Sequence, residues 1–137
     1  LLYRFELNEL VIENGGDMFI KLKEPINVSV FAGNSVLSER FAIEIPGEFS
    51  PVGVCTSAGT VGHSYSFGSA DAVMIACKNT LLADAYATKF ANFIKKKSDI
   101  NRIIEEIQKI DDIVSAVIIK DDKLGVCGNF ELISLNN

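Results

Sequence analysis

The sequence predicts an α+β fold, a mostly antiparallel sheet with two packed helices in a single domain. Three observations carry that expectation. Short β-rich runs joined by hairpin-type turns occupy the first half of the chain, a helical stretch follows, and β-branched runs return after it. At 137 residues the chain suits one domain with a core of its own.

The elements follow in order. Residues 10–13 and 18–22 flank Asn14-Gly15-Gly16-Asp17, a turn signal that predicts a hairpin. Residues 26–31 (INVSVF) and 41–45 (FAIEI) alternate apolar and polar side chains, as half-buried strands do. Residues 53–55 form a short strand that enters a small-residue loop at 56–62, and residues 63–67 (HSYSF) form the loop's far arm. Residues 72–77 (AVMIAC) are apolar throughout, which predicts a central strand covered on both faces. Asn79 or Thr80 caps a helix running to about Lys97, whose three terminal lysines would meet its negative end. Ser98 or Asp99 caps the next, with Ile100, Ile103, Ile104, Ile107 and Ile110 in one stripe. Strands at 113–119, 124–127 and 130–135 close the chain.

Composition narrows the function classes. Net charge is −5 and the only basic block is Lys95-Lys96-Lys97, so nucleic acid is not an expected partner. No run of 18 apolar residues occurs, so no membrane span is expected. Cys55, Cys77 and Cys127 are odd in number and set in apolar surroundings, which predicts buried, reduced thiols in a cytoplasmic protein. The chain opens Leu1-Leu2-Tyr3 without Met, as a processed product, a fragment or a chain with a missing N-terminal segment would.

The stretch from Thr56 to Thr88 holds most of the candidate chemistry. Ser57, Gly59, Thr60 and Gly62 let the main chain turn and offer amides to an anion. Asp84 and Thr88 stand one helical turn apart on one face, beside Leu81 and Ala85, and oxygen donors so placed suit Mg²⁺ with a phosphate. The bland readings are a loop that merely turns and an Asp stabilised by the helix dipole. Asn14-Gly15-Gly16-Asp17 is first a turn; as a ligand element, its glycines admit a nucleotide and Asp17 receives a hydroxyl or amine. His63 is the only histidine. A hydrolase triad of Ser57, His63 and Asp71 or Asp84 fails because Cys55 stands where G-x-S-x-G needs glycine. A Cys55–His63 pair lacks a local signature.

With these residues in view, the chain resembles the ApbE-like family, which includes FAD:protein FMN transferases and thiamine-biosynthesis lipoproteins. Glu13-Asn14-Gly15-Gly16-Asp17 is similar to the family's Gly-Gly-Asp turn, Thr56-Ser57-Ala58-Gly59 to its Thr-Ser-Gly loop, and Leu82-Ala83-Asp84-Ala85-Tyr86-Ala87-Thr88 to its Ala-Asp-Ala-x-x-Thr helix start. The resemblance implies a T-fold-related domain that begins partway through the family domain. It implies Mg²⁺ held by Asp84 and Thr88 at the pyrophosphate of FAD. Thr56, Ser57 and Gly59 would line the phosphates, and Asn14, Gly15, Gly16 and Asp17 would border the nucleotide. His63 is the candidate for proton transfer, in FMN transfer or pyrophosphate cleavage. The family's His-x-x-Asp-Pro-x-x-Gly segment is replaced here by Gly62-His63-Ser64-Tyr65-Ser66-Phe67-Gly68, without Asp-Pro. The resemblance is therefore to a compact branch of unassigned function. Its rivals are a non-catalytic ligand-binding module and a subunit-assembly module that forms a homo-oligomer.

Overall fold

A computed structural model of the chain describes residues 7–59 and 69–135. Among these the elements are β1 (Leu10–Asn14), β2 (Asp17–Lys21), β3 (Ile26–Ser29), β4 (Phe41–Ile45), a 3₁₀ turn (Gly47–Phe49), β5 (Val52–Ser57), β6 (Ala72–Cys77), α1 (Thr80–Phe93), α2 (Asp99–Ile107), β7 (Ile113–Lys120), β8 (Lys123–Gly128) and β9 (Glu131–Ser134). They form the expected α+β architecture. A six-stranded sheet runs β1-β2-β5-β6-β7-β8 and a three-stranded sheet runs β3-β4-β9, every described pairing antiparallel. Both helices cover one face of the large sheet, and the small sheet covers the other.

The apolar run of β6 explains this layering. Val73, Ile75 and Cys77 enter the core under the helices, while Ala72, Met74 and Ala76 enter the core shared with the small sheet. Successive residues of a strand point to opposite faces, so a strand buried on both sides must be apolar at every position. The isoleucine stripe of α2 is likewise as expected, with Ile100, Ile103 and Ile107 buried and Ile104 and Ile110 packed beside them.

The first hairpin closes on the pair Asn14–Asp17, with Gly15 at φ 60° and Gly16 at φ 95°. Two successive positive φ values match the right-handed twist of the flanking strands, and glycine adopts them without strain.

Several boundaries differ from expectation for physical reasons. β5 continues to Ser57, so Thr56 and Ser57 are strand residues and not loop residues. β3 stops at Ser29. Asn79 caps α1, its Oδ1 accepting from the amides of Leu81 and Leu82 at 2.9 and 3.3 Å, but the helix ends at Phe93 instead of Lys97. Ile94 turns extended and is fully buried, and the Asp99 carboxylate accepts from the amides of Lys95 and Lys96 at 2.9 and 3.0 Å. Those backbone donors hold the Asp99 carboxyl below its ordinary range. The three lysines therefore lie beyond α1, and Lys97 pairs with Asp122 at 2.7 Å. The proposed strand at 63–67 lies outside the described residues. Among those described, no helix is long and apolar enough to cross a membrane.

Candidate functional site

Asn14, Gly15, Gly16, Asp17, Thr56 and Ser57 gather at one end of the β2–β5 ladder and divide between its two faces. Register decides the division. Asp17 pairs with Cys55 and Ser57 with Val73, and both pairs face the helices with the Cys55 and Val73 side chains. Gly16 bonds across to Thr56, and Glu13 and Met18 are paired, on the face toward the small sheet.

On the small-sheet side lies a pocket of about 280 Å³. Met18, Val54 and Met74 of the large sheet line it with Val28 and Phe31 from the small-sheet side. Glu13, Gly15, Gly16, Thr56, Ser57 and Asp71 supply its polar and glycine rim. The structure thus brings Gly15, Gly16, Thr56 and Ser57 to one cavity. Asn14, Asp17, Gly59, Asp84 and Thr88 do not line it, and His63 lies outside the described residues.

Of the expected cradle, Thr60 and Gly62 lie outside the described residues, and the amides that are described are engaged within the chain. The Thr56 amide donates to the Gly16 carbonyl at 3.1 Å, the Gly59 amide to the Ala70 carbonyl at 2.8 Å, and the Gly16 amide to Glu13 Oε1 at 3.0 Å. What Thr56 can offer a ligand is its hydroxyl. Among the described residues the buried Ser57 Oγ has no hydrogen-bond partner, which is rare for a buried polar atom and costs about 1–3 kcal/mol where nothing compensates it.

On the helix side, Asp84 does not stand on a packing face. Leu81, Asp84 and Ala85 are exposed and Thr88 half-buried, while Ala83, Ala87, Phe90 and Ala91 form the buried stripe. Asp84 nonetheless has an electrostatic neighbour in Asp17. The Asp17 carboxyl is pushed above its ordinary value of 3.8, first by burial, and also by the nearby charges of Asp84 and Glu13, against a lowering hydrogen bond with Cys55. Among the described residues neither Asp17 nor Asp84 forms an ion pair with a cation. The Cys55 thiol is driven well up by burial and by the same two carboxylates, and its Sγ donates to the Thr80 carbonyl at 3.4 Å. Burial thus favours the protonated thiol of Cys55 over a nucleophilic thiolate.

A consequence for stability follows from Asp17. The folded state holds this proton more tightly than the unfolded chain, so stability falls as pH rises from the ordinary carboxylate value through the raised one. Asp17→Asn removes that ionisation. Its melting temperature relative to the unsubstituted chain is expected to improve steadily between about pH 3 and about pH 7. A difference that stays flat over that range would mean that ionised Asp17 is not disfavoured.

Among the described residues no group of three or more His, Cys, Asp or Glu side chains is arranged to hold a metal ion. Mg²⁺ commonly takes one or two carboxylates and completes its shell with water and substrate phosphates. The Asp17–Asp84 pair, oxygen-only and without a cation, has donor chemistry that fits such an ion. The pocket walls, by contrast, were not among the sequence candidates. Met18, Val54 and Thr56 share a face by simple alternation, but Phe31 and Val28 reach the cavity only through the second sheet. Asp71 is a buried carboxylate at the mouth of β6 whose Oδ2 accepts from the Asp121 amide at 2.6 Å. Its signal is a lone charge at the entry to a wholly apolar strand.

The chain is similar to several proteins whose names state no activity. A UPF0280 protein of Methanospirillum hungatei is 43% identical over 102 residues, covering 73% of this chain and 42% of the relative. Another, from Methanocaldococcus jannaschii, is 34% identical over 133 residues, covering 93% of this chain and 54% of the relative. A third, from Methanococcus aeolicus, is 37% identical over 123 residues, with coverages of 87% and 50%. The chain spans about half the length of these relatives. A family described as AbpE bacteria matches residues 1–121. With most of its length matched, and with the three motifs in order, the chain belongs to that AbpE bacteria family, an ApbE-related group.

Proposed function

We propose that this chain binds a flavin nucleotide, FAD being the first candidate, through its pyrophosphate and Mg²⁺. The observation that carries the reading is the Asp17–Asp84 pair: the Asp17 carboxyl is raised first by burial and also by the Asp84 charge, and neither carboxylate is ion-paired to a cation among the described residues. A divalent ion with two phosphate oxygens would relieve that repulsion. Asp84 and Thr88 supply side-chain oxygens to the metal, with Asp17 beside them. Gly15, Gly16 and Thr56 border the nucleotide across the end of β5, with Asn14 on the hairpin's outer edge, and Ser57 and Gly59 lie where that strand leads out. When bound, Mg²⁺ would neutralise charge at the pyrophosphate.

Asp84→Ala is expected to abolish Mg²⁺-dependent retention of FAD, read as visible absorption after desalting, while leaving the far-ultraviolet circular dichroism unchanged because Asp84 is exposed. Unchanged Mg²⁺-dependent affinity in that variant would remove the metal from the account. Product analysis separates the two functional readings. FMN and AMP appearing with Mg²⁺ mark cleavage, with His63 as the candidate proton donor. FAD retained intact marks a binding module.

A further inference from the structure

We infer that the pocket between the two sheets takes the uncharged, N–H-bearing ring end of the ligand and turns phosphate away, with Glu13 as the residue that reads the ring. This rests on the nucleotide reading above.

Size comes first. A volume of about 280 Å³ is at the bottom of the range for small-molecule sites, enough for one ring system and too small for a dinucleotide. Its walls suit a flat apolar body: Met18, Val54 and Met74 on one side, buried Val28 opposite, and Phe31, 54% exposed, at the lip where a ring can stack.

The charges then decide which end of a nucleotide enters. Glu13 and Asp71 both line the pocket, and no Lys or Arg does so among the described residues. Phosphate would meet the Glu13 carboxylate and, among the described lining residues, no Lys or Arg to offset it. Two of the lining amides, those of Gly16 and Thr56, are moreover already engaged within the chain. A ring carrying N–H groups meets the opposite situation. An ionised carboxylate only accepts hydrogen bonds. Glu13 is moreover held in place, because its Oε1 is tied to the Gly16 amide at 3.0 Å and its other oxygen can serve the ligand. The hairpin turn thus acts as a bracket for an acceptor, and the phosphates of the same ligand are directed out toward the helix side.

The test uses the phosphate-free halves of the dinucleotide, riboflavin and adenosine, and inorganic pyrophosphate with Mg²⁺ as separate calorimetric probes of the full chain. One nucleoside is expected to bind without Mg²⁺, and which one does so identifies the ring. Glu13→Gln keeps an oxygen for the Gly16 amide but loses the charge, and should weaken that nucleoside by about tenfold. Phe31→Ala, at an exposed side chain, should weaken it as well, and both variants should melt with the unsubstituted chain. Absence of nucleoside binding while FAD binds with Mg²⁺ overturns the ring assignment and leaves the nucleotide reading standing. A nucleoside bound equally well by Glu13→Gln overturns the role of Glu13. Absence of any binding, FAD with Mg²⁺ included, removes both.

Discussion

Gly53→Ala should cost about 3 kcal/mol, the upper end of what one added methyl group does in a packed interior. A Cβ at Gly53 would lie 2.4 Å from Thr80 Cα and 2.8 Å from Thr80 N, so it would strike the backbone of α1 at its first turn. Backbone cannot rotate aside; the helix would have to lift off β5. Gly125, where α2 crosses β8, makes the control. A Cβ there would meet Ile100 Cγ2 at 2.4 Å and Ile104 Cγ1 at 3.0 Å, both side-chain atoms that can change rotamer, so Gly125→Ala should cost nearer 1 kcal/mol. Urea unfolding measures the contrast. Equal losses would mean that α1 shifts as freely as an isoleucine side chain. Because α1 carries Asp84, its seat on Gly53 also sets how closely that carboxylate approaches Asp17.

Phe90→Ala should be still more damaging, about 3–5 kcal/mol, a large share of a total stability of roughly 5–15 kcal/mol. Phe90 is the bulkiest fully buried side chain, on a helix face whose other buried residues, Ala83, Ala87 and Ala91, have little volume to refill the space. Tyr86 stacks against it with centroids 6.2 Å apart, and Lys89 Nζ stands 5.3 Å from the ring centre. The ammonium contact at an exposed position contributes well under the packing loss, about 0.5–1 kcal/mol. Phe90→Leu, which refills much of the volume, should therefore recover most of the stability. If Phe90→Leu unfolds at the same denaturant concentration as Phe90→Ala, the ring contacts outweigh volume.

Where local physics decides, the sequence was readable. The hairpin follows from two glycines between alternating runs, β6 from six apolar residues, and α2 from isoleucines at helical spacing. The division into two sheets was not readable, because alternation looks the same in β4, which joins β3 and β9, as in β2, which joins the large sheet. The end of α1 is likewise a tertiary decision: burial of Ile94 and capture of the Lys95 and Lys96 amides by Asp99 outweigh any helical preference of the lysines. At the site, the turn and the Asp84–Thr88 spacing were legible as local features. Their division between two faces was not, since it depends on β5 running through Ser57. Adjacent residues Thr56 and Ser57 then alternate across the strand, although both contribute atoms to the pocket lining.

The last strand has a bearing on how the molecule comes into being. β9 is laid down after every other element, yet its partner is β4, some ninety positions upstream. Until that final segment leaves the ribosome, β3 and β4 are a bare ribbon with one side unpaired, and two-stranded ribbons are marginal in water. The wall that supplies Val28 and Phe31 therefore firms up only once β9 has emerged and paired with β4, so the pocket between the sheets is completed later than the first hairpin of the large sheet.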